Sequence, residues 1–165
     1  MEIDRIFGLP AHPLLVHAAV VLVPLAAIAF IAVGWRESWR RAYYFPVTLL
    51  AITGAVFAFL AKQSGEPLSD TVRQAGQRVG EHPEQGDTAF FFALLLGLAC
   101  AGVFIIHRYG ERMKEAVGIK DLPRLPLSYN AILYAVTVPL AALAILTMVI
   151  AGHSGAELVW KTNAG

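Results

Sequence analysis

His12, His17, His82 and His153 are four of the five histidines in a chain of 165 residues, and each stands at the edge of a long apolar run. A neutral imidazole is a good ligand for a transition metal or a haem iron. Imidazoles on facing helices of a bundle can supply both axial ligands of a b-type haem. His12 and His82, each followed by proline, are the matched pair for that role, with His17 and His153 as alternatives. The same four imidazoles, with Glu66 or Asp87, also offer nitrogen and oxygen ligands suited to zinc, iron or copper. No CxxCH motif is present, which excludes covalent haem attachment, and no HExxH marks a zinc site. The residue types for Ser-His-Asp hydrolysis occur, but without the nucleophile elbow that would organise them. His107, beside Arg108, reads as a solvated residue at the opposite end of the spans.

The elements that must position these residues are membrane helices. The chain is 57% hydrophobic and 15% charged, against about 25% charged in a soluble domain. The deficit is concentrated in four runs: Leu14 to Gly34, Tyr43 to Ala61, Ala89 to Ile106 and Ala131 to Ala151. Each is near the ~20 residues a helix needs to cross the hydrocarbon. Helices are required because backbone polar groups cannot go unpaired in lipid. The first run is too long for a signal h-region and lacks a basic n-region, so it reads as a retained span. The expected fold is all-α, an integral membrane four-helix bundle in one domain covering residues 1–165. Cys100 is the single cysteine, so neither a disulfide framework nor a CxxC site arises within the chain. A net charge of +1 gives no electrostatic footprint for nucleic acid.

Charge sets the expected orientation. Arg36, Arg40 and Arg41 lie between spans one and two, and Arg108, Arg112, Lys114, Lys120 and Arg124 between three and four. The other face holds Arg5, Lys62, Arg73, Arg78 and Lys161. Eight basic residues against five place the first face in the cytoplasm. Both termini and the 62–88 connector are then extracytoplasmic, on the histidine side. Trp35, Trp39, Tyr43, Tyr44 and Trp160 fall near span ends, as an aromatic belt would.

The two halves share punctuation. Residues 12–66 begin with His12-Pro13, cross twice and end near Ser64-Gly65; residues 82–156 begin with His82-Pro83, cross twice and end near Ser154-Gly155. This pattern reads as two tandem two-helix repeats related by a pseudo-two-fold axis along the membrane normal. His12 then matches His82, His17 matches Asp87, and Gln63 matches His153. The linking stretch 67–81 carries Leu68, Val72, Ala75 and Val79 at helical intervals. A short amphipathic helix from Pro67 to Val79 is expected there, lying over the mouth of the bundle. Gly54, Ala55, Ala58 and Ala61, with Gly97, Ala99, Ala101 and Gly102, suit close helix packing.

FGLPAHPLLVHAAVVLVPLA, the His82 region and the closing GHSGAELVW together resemble a bacterial membrane family catalogued as domain of unknown function 2231. The likeness covers essentially the whole chain. It implies a redox-associated module of the bacterial inner membrane, in the company of c-type cytochromes or a respiratory complex, and it points to His12, His17, His82 and the Gly152–Gly155 segment. The expected function is therefore a b-type haem-binding membrane subunit for electron transfer. A non-haem metal-binding membrane protein and a cofactor-free accessory subunit of a membrane complex are the alternatives. Asp87 stands where the repeat would place a second His17, which argues against a symmetric two-haem site.

Overall fold

The computed structural model describes residues 5–6, 9–74, 76, 80–117 and 129–163. A short antiparallel pair, β1 (Arg5–Ile6) and β2 (Leu9–Pro10), leads into four helices. These are α1 (Ala11–Gly34), α2 (Glu37–Gln74), α3 (His82–Val117) and α4 (Tyr129–Asn163). All four are long and apolar enough to cross a membrane. α1 packs on α2 and α4, and α3 packs on the same two, so the helices close a ring with α1 and α3 on one diagonal. The N-terminal ends of α1 and α3 share one end of the bundle with the C-terminal parts of α2 and α4, as the contacts of His12 and His82 show. We call this the histidine end and the other the arginine end.

The packing is that of a membrane protein. Alanines dominate the interior: Ala19, Ala26, Ala27, Ala51, Ala93, Ala141 and Ala144 are all buried. The large apolar side chains point outward, with Val21, Ile28, Leu49, Leu98, Val136 and Leu146 all exposed. In water such a shell would be a large apolar patch with no partner. In lipid it is the expected arrangement, because small residues let helices approach while Leu and Ile meet the acyl chains. Gly54 marks the tightest crossing: a Cβ there would meet Val23 Cγ2 at 3.0 Å and the Val23 backbone nitrogen at 3.2 Å. Gly97 leaves ordinary clearance, and Gly102 faces no neighbour.

Much of the burial follows one register in both halves, although buried Ala11 and Thr48 correspond to exposed Glu81 and Val138. Counted from His12, the buried positions Ala19, Val23, Ala26, Phe30 and Val33 of α1 correspond to Ala89, Ala93, Leu96, Cys100 and Val103 of α3, counted from His82. Counted back from Ser64 and Ser154, buried Val47, Ala51, Ala58 and Ala61 of α2 correspond to buried Thr137, Ala141, Met148 and Ala151 of α4.

One expectation needs correction. The stretch after the second span is no separate amphipathic helix over the mouth; α2 continues without a break through Pro67 to Gln74. With 38 residues, it is about 57 Å long at ~1.5 Å per residue, against roughly 30 Å of hydrocarbon. Its polar end therefore projects beyond the apolar zone. Proline removes one backbone donor there, and the carbonyl this frees can be met by water rather than lipid. Residues 75 and 77–79, including Ala75 and Val79 of the expected apolar stripe, lie outside the described residues.

Candidate functional site

His12 is the second residue of α1, and its ring turns inward onto α2. Nδ1 lies 2.8 Å from the Ala61 carbonyl oxygen and 3.4 Å from Ser64 Oγ. A carbonyl only accepts, so His12 carries its proton on Nδ1. Ser64 donates to that same carbonyl at 3.0 Å. The second half repeats the arrangement between α3 and α4. His82 Nδ1 lies 2.9 Å from Ser154 Oγ, and Ser154 donates to the Ala151 carbonyl at 3.1 Å. With the serine proton committed to Ala151, the serine oxygen accepts from His82 Nδ1–H.

Glycine makes both seats. A Cβ on Gly65 would lie 2.8 Å from His12 Cε1, and one on Gly155 would lie 2.9 Å from His82 Cε1. Any larger residue would push the imidazole away. Ser-Gly at the end of each hairpin is therefore a cradle, with serine fixing the tautomer and glycine giving the ring room. Across the bundle diagonal the two rings meet edge to face, with centroids 6.1 Å apart and planes 80° apart. Both are partly buried. Each directs its N–H to a neighbouring helix and keeps the lone pair of Nε2.

The other sequence candidates fall elsewhere. His17 is exposed, and its Nδ1 donates to the Pro13 carbonyl one turn back, at 2.6 Å. Five residues of helix rotate it about 140° from His12, which accounts for its outward direction. His153 is exposed and pairs with Glu157, one turn on, at 3.4 Å. Asp87 and Glu66 share the Lys62 ammonium, at 2.6 Å and 3.7 Å. Lys62 ties α2 to α3; the sequence reading counted it only as a charge. Among the described residues, no three or more potential ligands of the His, Cys, Asp or Glu types come together.

Sequence reasoning also missed a cluster at the arginine end. Arg40 Nη1 donates to the Gly34 carbonyl at 2.7 Å, closing the C-terminus of α1. Tyr44, unlike exposed Tyr43, is buried; it stacks on Phe30 at 5.7 Å and meets the edge-on His107 ring at 5.3 Å. Tyr134 lies against Gly34 so closely that a Cβ there would overlap its hydroxyl. The available signal was spacing: Tyr44 and Tyr134 stand equally far before Ser64 and Ser154.

Fold and site together define a four-helix membrane protein with a paired-histidine cradle at one end of its bundle. The chain belongs to the predicted membrane protein family DUF2231, whose family model matches residues 8–165. No curated protein and no solved structure matches it.

Proposed function

We propose that His12 and His82 are the axial ligands of a b-type haem, and that the protein is an electron-transfer subunit of the bacterial inner membrane. One observation carries the reading. Two imidazoles, one from each hairpin, give their Nδ1–H to a neighbouring helix, keep Nε2 free and stand 6.1 Å apart between ring centres. A histidine fixed through one nitrogen by a backbone or side-chain acceptor, with the other left basic, is the usual form of a metal-ligating imidazole. Metal–imidazole bonds run about 2 Å, so two of them suit a separation of this order. Haem asks the protein for two axial ligands, and two imidazoles meet here. A structural zinc site asks for four protein ligands and a catalytic one for three.

The haem, when bound, supplies one-electron chemistry. The chain's own residues do the rest. Ala61 and Ser64, with Ala151 and Ser154, hold the ring tautomers; Gly65 and Gly155 admit the rings; the packed helices beneath keep water from the apolar side. The surplus of basic residues at the opposite end supports an extracytoplasmic histidine end and extracytoplasmic termini. A soluble c-type cytochrome or a respiratory complex is then the natural redox partner at that face. The burial register shared over much of their length and the two matching cradles support reading the hairpins as copies of one unit.

The test is a reduced-minus-oxidised visible spectrum of the protein in mild detergent, with metal analysis alongside. Sharp b-type bands, lost in His12→Ala and in His82→Ala and kept in His17→Ala and His153→Ala, are expected. Stoichiometric zinc, iron or copper without a Soret band would replace this reading with a non-haem metal site. Neither signal would leave an accessory subunit. In right-side-out spheroplasts, an impermeant reductant added outside should reduce the haem at once; reduction only after permeabilisation would reverse the orientation.

A further inference from the structure

The arginine end carries an arrangement that the paired imidazoles do not use. Arg41 and Phe45 stand four residues apart on α2, and Phe104 and Arg108 four residues apart on α3. Residues at that spacing share one face of a helix. The Phe45 and Phe104 rings meet across the seam between the two helices, with centroids 5.7 Å apart. α2 starts at the arginine end and α3 finishes there. Arg41, one turn before Phe45, and Arg108, one turn after Phe104, therefore both lie on the arginine side of the phenylalanine contact. One guanidinium from each helix flanks the same seam, and both residues are exposed. The matching seam between α1 and α4 is built differently. Counted from the histidines and serines as above, Ala131 stands in place of Arg41, Ala135 of Phe45, Gly34 of Phe104 and Ser38 of Arg108.

Both guanidiniums have donors to spare. Arg41 gives an N–H to Glu37, and a guanidinium carries five such donors and no acceptor. Arg108 lies over the Tyr109 ring, with Cζ 5.4 Å from its centroid, a contact with the aromatic face that takes up no carboxylate or phosphate oxygen. No carboxylate among the described residues pairs with Arg108. Depth then limits what can meet them. The second apolar run begins at Tyr43 and the third ends at Ile106, so each arginine stands two residues outside its span, at the level of the lipid headgroups. Exposed Tyr43 and Tyr109 mark the same boundary. On the bilayer side of it, Phe45, Leu49 and Ile105 present exposed apolar side chains.

We infer that the α2–α3 seam at the arginine end binds an anionic phospholipid of the phosphatidylglycerol type, its phosphate between Arg41 and Arg108 and its acyl chains over Phe45 and Phe104. Guanidinium groups match phosphate oxygens in charge and in the geometry of their paired donors, and basic sites between membrane helices suit anionic headgroups. A zwitterionic lipid offers the same phosphate but brings an ammonium group up to two guanidiniums, which repel it. A free phosphate shares the headgroup chemistry and has no use for the phenylalanines. The lipid spans a seam between the two hairpins at the end away from the histidines, and its site stands whether or not His12 and His82 hold haem.

The full-length protein is placed in nanodiscs of equimolar phosphatidylglycerol and phosphatidylcholine, and the lipids it retains on release are counted by native mass spectrometry. Phosphatidylglycerol is expected to be retained about ten-fold over phosphatidylcholine, the order of one charge-assisted hydrogen bond. Arg41→Gln combined with Arg108→Gln should abolish that preference. Arg36→Gln combined with Arg124→Gln removes the same charge from the same end, away from the seam, and should keep it. Wild-type protein also gives a test that needs no variant: inorganic phosphate, added at matched ionic strength, should leave the retained lipid in place. Equal retention of the two lipids by wild type overturns the proposal, as does a preference that survives Arg41→Gln with Arg108→Gln. An equal loss in both double variants overturns it by reducing the effect to net charge. Displacement by inorganic phosphate overturns it and assigns the seam to a free anion.

Discussion

A small set of residues decides what this bundle can hold. Each imidazole of the pair rests on a glycine and is oriented by a serine or backbone oxygen on the helix it leans against. Groups that orient a ligating histidine typically matter about 10–100-fold in metal affinity. Gly65→Ala and Gly155→Ala should each weaken haem binding by about that factor, since the added methyl would stand within 2.9 Å of a ring atom. The thermal midpoint of the haem-free protein should move little, because both glycines lie beyond the main apolar core. Haem titration alongside a melting curve separates the two effects; haem affinity unchanged in both variants would remove the cradle from the account. The residue types were legible in the sequence, because imidazoles at span edges need an explanation in lipid. Which of them meet was only partly legible. Helical rotation separates His12 from His17, but the exposure of His153 and the Lys62 bridge between Glu66 and Asp87 depend on how α2, α3 and α4 are turned. A sequence does not print those rotations.

The helices hold the cradle through contacts between small residues. Gly54 is the clearest case, because the atoms its Cβ would meet belong partly to the Val23 backbone, which cannot swing aside. Gly54→Ala should cost about 1–3 kcal/mol, the usual penalty of overpacking a tight interface. Gly97→Ala should be nearly neutral, because its Cβ would find its nearest neighbour at 3.7 Å. Unfolding in detergent followed by circular dichroism checks the contrast, and equal effects would contradict the crossing described here. Spans of this kind are easy to read from sequence, since the bilayer demands about 20 apolar residues and a fully paired backbone. Their polar extensions are not. Nothing in Ser64-Gly65-Glu66-Pro67 announces a continuing helix, as glycine and proline both weaken one. α2 nevertheless runs on to Gln74. Small residues likewise gave the right kind of contact without its location: Gly54 packs tightly and Gly102 touches nothing.

The whole molecule is a ring of four helices whose two hairpins meet at one end through a histidine from each. The halves agree in much of their buried register and in cradle, and they diverge at the arginine end, where Arg41 and Arg108 flank the α2–α3 seam and Ala131 and Ser38 hold the matching places. Equal hairpins would bring two equivalent histidines to the bundle diagonal, which is the arrangement at His12 and His82. The central claim is that these two residues, one per half, bind one haem together. Electron paramagnetic resonance of the oxidised, haem-loaded protein tests it most directly. A low-spin ferric signal of bis-imidazole ligation is predicted, converting to high spin or disappearing in His12→Ala and in His82→Ala alike. A low-spin signal that survives either substitution would contradict the account.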